Sequence, residues 1–361
     1  MTLILSNEDV EKAFTMDDCL AALENTYRHV ASGQALTGRR SDVMTPTEPY
    51  NGEEASYLLK IMNGADAELG IAALRLTSEI MIWPEISGVR RRTKAPRAPN
   101  NRWVGLVLLF STTTGEPLAI FPDGVMQKMR VAATSALGAK FIARQNAATL
   151  GLLGAGWQAS AHALAMTKVR DLKEIRVFSP TKVRREKFCQ EMQDETGVMM
   201  TPVDSAEAAV KNADIVQCAT SAMENVYFKK WLEPGVHAGT IRDGELEPAM
   251  INAADVLVIH DPENMGHAYF KAIGGARNRD HDNETAGREG NDAWNTAPSL
   301  SDIISGKKIG RENDEQTSCF LNYRGFGVQF AGAGAAFLKN ATEMGLGNDL
   351  PTDWFTEDVL P

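Results

Sequence analysis

The chain has 361 residues, more than one hydrophobic core usually serves, so two domains are expected. Hydrophobic residues make up 43% and charged residues 23%, which excludes a disordered or fibrous chain. A net charge of −10 without any extended Lys/Arg run argues against nucleic acid or a membrane surface as partner, because phosphate binding needs a basic face.

Cys19, Cys189, Cys218 and Cys319 lie far apart with no C-x-x-C pair, which suits reduced thiols better than a disulfide frame or a zinc site. The start, MTLILSNEDV, lacks the basic segment of a signal peptide, and no apolar run approaches membrane-spanning length. A soluble, cytoplasmic protein is expected.

Residues 3–5 read as a strand. Residues 9–32 carry Val10, Ala13, Phe14, Leu20, Leu23, Tyr27 and Val30 at helical spacing, with Gly33 as the stop. Arg39 and Arg40 then fall in a polar turn. Strands are predicted over 57–62 and 71–82, the second ending before Pro84. Arg75, between leucines in that strand, either faces outward with the polar set or projects into a cleft. Residues 87–102 form a basic, proline-bearing loop without the interleaved aromatics of a nucleic-acid patch. A hairpin over 104–110 and 118–121 turns at Thr114-Gly115-Glu116. Asp123 is placed to cap an alanine-rich helix running to Arg144. Within it Arg130 either snorkels to solvent or aims its planar fork at a substrate carboxylate.

From Thr149 the pattern changes. In TLGLLGAGWQASAH a short apolar run meets Gly154 and Gly156, and a helix opens at Gln158 with Ala159 at the third fingerprint position. Strands then alternate with helices: strands at 175–178, 198–201, 215–219, 237–241 and 256–259, and helices at 182–195, from Ser205, and near 248–253. Such alternation means a parallel sheet wrapped by helices, and the glycine turn follows its first strand, where a dinucleotide unit needs it. NAD or NADP is the expected cofactor. The second strand ends Ser179-Pro180-Thr181-Lys182, followed by Arg184 and Arg185. An acid there would accept from a ribose 2′-hydroxyl; hydroxyls and cations lean slightly toward NADP. Thr220 ends the fourth strand at the edge where ligands lie. Asp243 follows the fifth in a glycine turn, as either a helix-approach residue or a catalytic carboxylate.

Taken together, the segments GLVLLFSTTTGEPLAIFPDGVMQKMRVAATSALGAKFIAR, GAGWQAS, VDSAEAAVKNADIV and WLEPGVH resemble the ornithine cyclodeaminase/mu-crystallin family, which also holds alanine dehydrogenase and ketimine or pyrroline-carboxylate reductases. The resemblance implies an α/β fold in which a doubly wound Rossmann sheet is inserted into a mixed α+β substrate and dimerisation domain. The implied division is 1–125 plus 318–361 for the substrate domain and 126–317 for the dinucleotide domain, with return near Phe320 and GFGVQFA as the next helix start. It implies a homodimer. Arg130 matches the arginine that holds the substrate carboxylate, Arg40 a second one, and Asp243 the catalytic acid. Cofactor contacts are expected from Gly154, Gly156, Trp157, Gln158, Ala159, Ser179, Thr181, Lys182 and Thr220. Pro180 stands where some NADP-using relatives have arginine.

Three departures stand out. Arg75 occupies the position of a family lysine that serves binding and proton transfer, and arginine stays protonated at any useful pH. Lys60 or Glu79 is available as a substitute acid/base. The other departures are the basic 87–102 insertion and the polar stretch 263–315. His260, Asp261, His267, Asp280, His281 and Asp282, in or beside that stretch, match no metal-ligand spacing, so a solvated loop without metal is expected. The expected activity is an NAD(P)-dependent oxidoreductase acting on the C–N bond of a small amino or imino acid: a ketimine or imino acid reductase, or an amino acid dehydrogenase. Arg130, Arg75 and Arg40 would hold the carboxylate, and Asp243 would stabilise the iminium or relay the proton. The alternatives are a cyclodeaminase-type ammonia lyase using bound NAD, and a non-catalytic, crystallin-like nucleotide-binding protein.

Overall fold

The computed structural model describes residues 1–86, 89–260, 268–271, 296–323 and 325–359. The chain forms two compact units. The first holds Met1–Arg130, the strand Ala268–Lys271 and Phe326–Pro361; the second holds the described residues of Val131–Met265 and Asn278–Gly325.

In the first unit the helical stretch predicted over 9–32 is two helices, Asn7–Ala13 and Met16–Ser32. Each begins with a capping box. Ser6 Oγ accepts from Asp9 N at 3.2 Å and Thr15 Oγ1 from Asp18 N at 3.2 Å, while each aspartate answers the cap's backbone N–H. Two boxes nine residues apart break a pattern that periodicity alone reads as continuous. Gly33 ends the second helix at φ 79°. Arg39 and Arg40 lie in the short connection between the strands Ala35–Thr37 and Ser41–Tyr50.

These strands join a mixed sheet of ten. Its main path runs Ala268–Lys271, Ser41–Tyr50, Glu53–Asp66, Ile71–Ile82, Val104–Ser111, Pro117–Pro122, Thr2–Ile4 and Asn348–Leu350. The central strand Ile71–Ile82 alternates as far as Met81, and its buried set includes Arg75, Thr77 and Glu79 with Ile71, Ala73 and Met81. The charges therefore lie on the inward face. Register fixes their neighbours: Met62 opposes Arg75, Thr77 opposes Lys60, and Lys60 opposes Asp42 on its other side. The helix Gly327–Glu343 packs on the strands Glu53–Asp66 and Ile71–Ile82. It approaches through glycines, since a Cβ on Gly64 would fall 2.2 Å from Val328 N and one on Gly327 2.0 Å from the Asn63 carbonyl carbon. Phe337 of this helix meets Phe121 edge-on at 4.8 Å.

The second unit is a seven-stranded, wholly parallel sheet. The order is Met199–Pro202, Glu174–Phe178, Thr149–Leu153, Ile215–Cys218, His237–Thr240, Ser318–Leu321 and Val256–Ile259. This is the doubly wound arrangement. Ser318–Leu321, assigned above to the returning segment, is fully buried between two strands of this sheet, so the return to the first unit begins at Phe326. Arg170 ties the helix Gly124–Ile142 down at its C-terminus, donating to the carbonyls of Ala139, Lys140, Ala143 and Arg144 at 2.8–3.0 Å. All four cysteines are buried and unbridged.

Asp261, His267, Asp280, His281 and Asp282 lie outside the described residues. His260 is buried, its ring edge-on to Phe320 at 6.4 Å. Among the described residues no group of three or more His, Cys, Asp or Glu is gathered to hold a metal ion, and no helix is long and apolar enough to cross a membrane.

Candidate functional site

The glycine turn follows the strand Thr149–Leu153, which lies between Glu174–Phe178 and Ile215–Cys218, where the order of strands reverses. Gly154 takes φ 124°, and a Cβ there would stand 2.3 Å from Ala219 O. Only glycine fits. The helix Trp157–Val169 opens on Gly156 with no side chain capping it, so its first N–H groups are left for a ligand. Ala159 is fully buried and keeps helix and strand close. Gln158 Oε1 is buried without a hydrogen-bond partner, an acceptor available to a ligand donor. This cradle fits a dinucleotide pyrophosphate. Trp157 beside it is 50% exposed.

Below the turn, His162 Nδ1 donates to Gln158 O at 2.7 Å and its Nε2 faces Ser135 Oγ at 3.1 Å. Burial draws this imidazole down to about 4, so it is neutral at physiological pH.

At the second strand's tip Ser179, Thr181 and Lys182 bear no acid. The two arginines noted beyond them part company. Arg185 is buried, pairs with Asp204 and donates to Ser179 O at 3.1 Å. Arg184 is exposed but turned back on the glycine turn, its Nε donating to Ala155 O at 3.1 Å.

Thr220, expected at the cofactor, stands beside the glycine turn, its N 3.6 Å from where a Cβ on Gly154 would lie. Its N and Oγ1 both donate to Glu245 Oε1, at 2.7 and 2.8 Å, while Oε2 accepts from Thr240 Oγ1 at 2.7 Å and from Ile241 N and Arg242 N at 3.2 Å. Burial pushes the Glu245 carboxyl up, and the bonds from Thr240 and Thr220 draw it part of the way back. Glu245 thus pins the turn that presents half-buried Asp243. The sequence reading passed over it; a second acid two residues beyond Asp243 was the available signal.

The first unit brings the expected substrate arginines together. Arg75 Nε donates to Asp123 Oδ2 at 2.6 Å, so Asp123, at the start of the helix Gly124–Ile142 as expected, also serves this ion pair. Arg130 Nη1 donates to Gln329 Oε1 at 2.8 Å. Gln329 also accepts from Phe326 N and donates to Tyr27 Oη, which fixes it fully. Both guanidiniums lie over one ring, Phe330, at 5.8 Å for Arg75 and 5.0 Å for Arg130. Burial, and then the neighbouring Arg75, draw Arg130 down to about 9. Two cations side by side on an aromatic face can receive a carboxylate. Arg40 is engaged bidentately by Asp42 at 2.8 and 2.7 Å. Lys60 and Lys94 share Glu79, at 2.8 and 2.5 Å. Burial first, then Arg92, draws Lys60 down to about 7; burial would raise Glu79, but its two lysines hold it well below the usual carboxylate range. Gln329 and Lys94 were not singled out from sequence, and Asp123 only as a helix cap. They come from distant segments, and only GFGVQFA, with one polar residue among small and apolar ones, hinted at Gln329. Arg40, Arg75 and Arg130 belong to the first unit; Asp243 and the glycine turn belong to the second.

Comparison with known proteins agrees with this chemistry. The profile of the Ornithine cyclodeaminase/mu-crystallin family matches residues 1–336. A Delta(1)-pyrroline-2-carboxylate reductase of Bacillus cereus is 31% identical over 348 residues, covering 96% of this chain and 98% of that protein. The solved Delta(1)-pyrroline-2-carboxylate reductase of Thermococcus litoralis, in complex with NADH and L-proline, superposes with a TM-score of 0.77 at 24% identity, over 96% of this chain and 100% of that one. An archaeal alanine dehydrogenase dimer with bound NAD gives 0.76 at 25% identity, over 97% and 99%. The chain belongs to the ornithine cyclodeaminase/mu-crystallin family.

Proposed function

We propose that the protein is an NAD(P)-dependent oxidoreductase acting on the C–N bond of a small amino or imino acid. The observation that carries it is the pair Arg75 and Arg130 over Phe330, the second held by a saturated Gln329. A reduced nicotinamide, when bound, supplies the hydride for an imine carbon. The two guanidiniums hold the α-carboxylate and so remove much of the entropic cost of alignment. Arg75 cannot exchange its proton, so its part is binding; Asp243, on the turn that Glu245 fixes, stabilises the iminium or relays the proton to nitrogen. That division disfavours cyclodeamination, which asks more proton traffic of the position Arg75 fills. Gly154, Gly156 and the first turn of Trp157–Val169 would hold the pyrophosphate. Ser179, Thr181, Lys182 and Arg184, with no acid among them, favour NADP(H) over NAD(H). Four buried, unbridged cysteines suit a reducing cytoplasm, and the likeness to the alanine dehydrogenase dimer supports a homodimer.

The test is consumption of NADPH and NADH with a panel of cyclic ketimines and of imines formed from 2-oxo acids and amines. Turnover of at least one class is expected. Silence across the panel with dinucleotide still tightly bound would leave the crystallin-like binding protein as the better account.

A further inference from the structure

Two arginine–aspartate pairs of the first unit are closed to different degrees. Asp42 grips Arg40 with both oxygens, at 2.8 and 2.7 Å. Asp123 holds Arg75 through one contact, Oδ2 with Nε at 2.6 Å. Beyond it, among the described residues, the Arg75 fork reaches Met62 Sδ from Nη1 at 3.7 Å, and Asp123 Oδ1 has no hydrogen-bond partner. Both residues are buried, and a buried pair that serves the fold alone gains by engaging both carboxylate oxygens, since one left bare in a poorly solvated place costs free energy.

Register shows where the bare oxygen lies. Gly105 opposes Thr77, two residues along the strand from Arg75, a step of roughly 7 Å on the same face. A Cβ on Gly105 would collide with Asp123 Oδ1, and Thr77 Cγ2 borders the same spot at 3.1 Å. The carboxylate therefore stands over Gly105, on the inward face that carries Arg75. Thr77 turns its methyl that way, and its own Oγ1 is buried with no partner among the described residues. Two polar groups of this face are unsatisfied, and neither satisfies the other. Buried groups left so are explained by a ligand that brings the missing donor.

The substrate chemistry supplies one. In an α-imino acid the nitrogen is two bonds from the carboxylate carbon. A carboxylate received by Arg75 and Arg130 over Phe330 can thus bring an N–H to the side of the fork where Asp123 stands. The parent 2-oxo acid would set a carbonyl lone pair against the carboxylate there. Because imines hydrolyse in water, an enzyme that reduces them meets the 2-oxo acid in excess and needs such a filter.

We propose that Asp123 Oδ1 accepts a hydrogen bond from the α-nitrogen of the substrate, and so selects imino and amino acids over the 2-oxo and 2-hydroxy acids of the same skeleton. This rests on the reading of Arg75 and Arg130 as the carboxylate receivers of an amino/imino acid oxidoreductase. Asp123 binds and orients; the proton relay stays with Asp243.

The experiment titrates the full chain, with NADPH or NADH present, by calorimetry with pyrrole-2-carboxylate and furan-2-carboxylate. These flat rings set an N–H donor or an oxygen acceptor beside the same carboxylate. The parent should bind the pyrrole at least about tenfold tighter. In Asp123→Asn the Arg75 Nε–H keeps the amide oxygen on its side, so the NH2 takes the place of Oδ1 and inverts the polarity of the position. That variant should bind the furan at least as tightly as the pyrrole, and Asp123→Ala, which only removes the acceptor, should bring the ratio near one. A carboxylate needed merely to steady Arg75 would weaken both ligands alike and keep their ratio; that result, or a parent without preference, overturns the proposal. Failure of both ligands to bind overturns it together with the arginine pair as the carboxylate site. Turnover of an imine without the preference leaves the oxidoreductase reading intact, whereas the preference and its inversion without any turnover leave the nitrogen contact standing and sink that reading.

Discussion

The glycine turn and the charged sheet face handle polarity in opposite ways. At the turn the ligand groups are backbone N–H donors, left free because Gly156 caps nothing and Gly154 admits nothing larger. Of the side-chain charges near it, Arg185 is buried and paired with exposed Asp204, and His162 is held neutral. On the sheet face the ligand groups are buried side chains that perturb one another, with Arg130 drawn toward 9 and Lys60 toward 7. The first arrangement suits any pyrophosphate and is indifferent to pH near neutrality. The second is tuned, so on the proposed function substrate choice and pH dependence reside there.

The largest effect that separates the two regions is expected from Arg130→Ala. It removes a charge-assisted fork and leaves Gln329 Oε1 with one donor fewer. A loss on the order of 4 kcal/mol in transition-state binding is expected, about a thousandfold in kcat/KM. Dinucleotide affinity, read by quenching of Trp157 fluorescence, should change by less than about twofold, since no group of the turn depends on Arg130. A parallel loss of nucleotide affinity would remove Arg130 from the substrate side.

A second measurement asks whether the turn's scaffold is as indifferent to pH as its ligands. His162 and His237 are buried and drawn down to about 4 and about 3, both chiefly by burial. Unfolded, each takes its proton near 6.5, so between there and the folded value the unfolded state binds more protons. The stability they contribute is whole above pH 6.5 and drains as pH falls toward 4. For His162 alone the loss is on the order of 3 kcal/mol. Urea unfolding at pH 7 and pH 4.5 should show His162→Asn losing clearly less than the parent over that interval. An equal loss in both proteins would mean that His162 does not carry the acid sensitivity of this interval.

The same contrast decides what the sequence made legible. The turn is local: strand, glycines and helix start lie within fourteen residues, and the alternation behind them gives its context. Arg130 and Arg75 stood out because each is a cation in an otherwise apolar run. Their partners did not. Asp123 is 48 residues from Arg75 and Gln329 is 199 from Arg130, and they meet only through sheet register and the helix laid across it. The carboxylate that holds Thr220 was missed for a similar reason, because Glu245 reaches it from another strand's turn, 25 residues away. The strand Ser318–Leu321 went to the wrong segment because a short apolar run carries no mark of which sheet it joins. The missed break in the first helix is different, since Thr15 and Asp18 spelled a capping box that the apolar periodicity overrode.

The smallest expected effect lies where the two regions become alike, at the one cation that joins the turn. Arg184 donates to Ala155 O and holds its Nη2 3.6 Å from where a Cβ on Gly156 would stand, so it borders the cradle beside the second strand's tip. A 2′-phosphate on the adenosine ribose belongs near that tip, and Ser179 and Thr181 offer it hydroxyls and no repulsion. Because Arg184 is exposed, solvent screens its attraction, and one such contact is worth roughly 1.4 kcal/mol. Arg184→Ala should therefore weaken NADPH and 2′,5′-ADP about tenfold and NADH less than twofold, with the difference shrinking in high salt. Uniform weakening of both dinucleotides would recast Arg184 as a brace for the Ala155 carbonyl. No change in either would return the choice of cofactor to Lys182 and the hydroxyls alone.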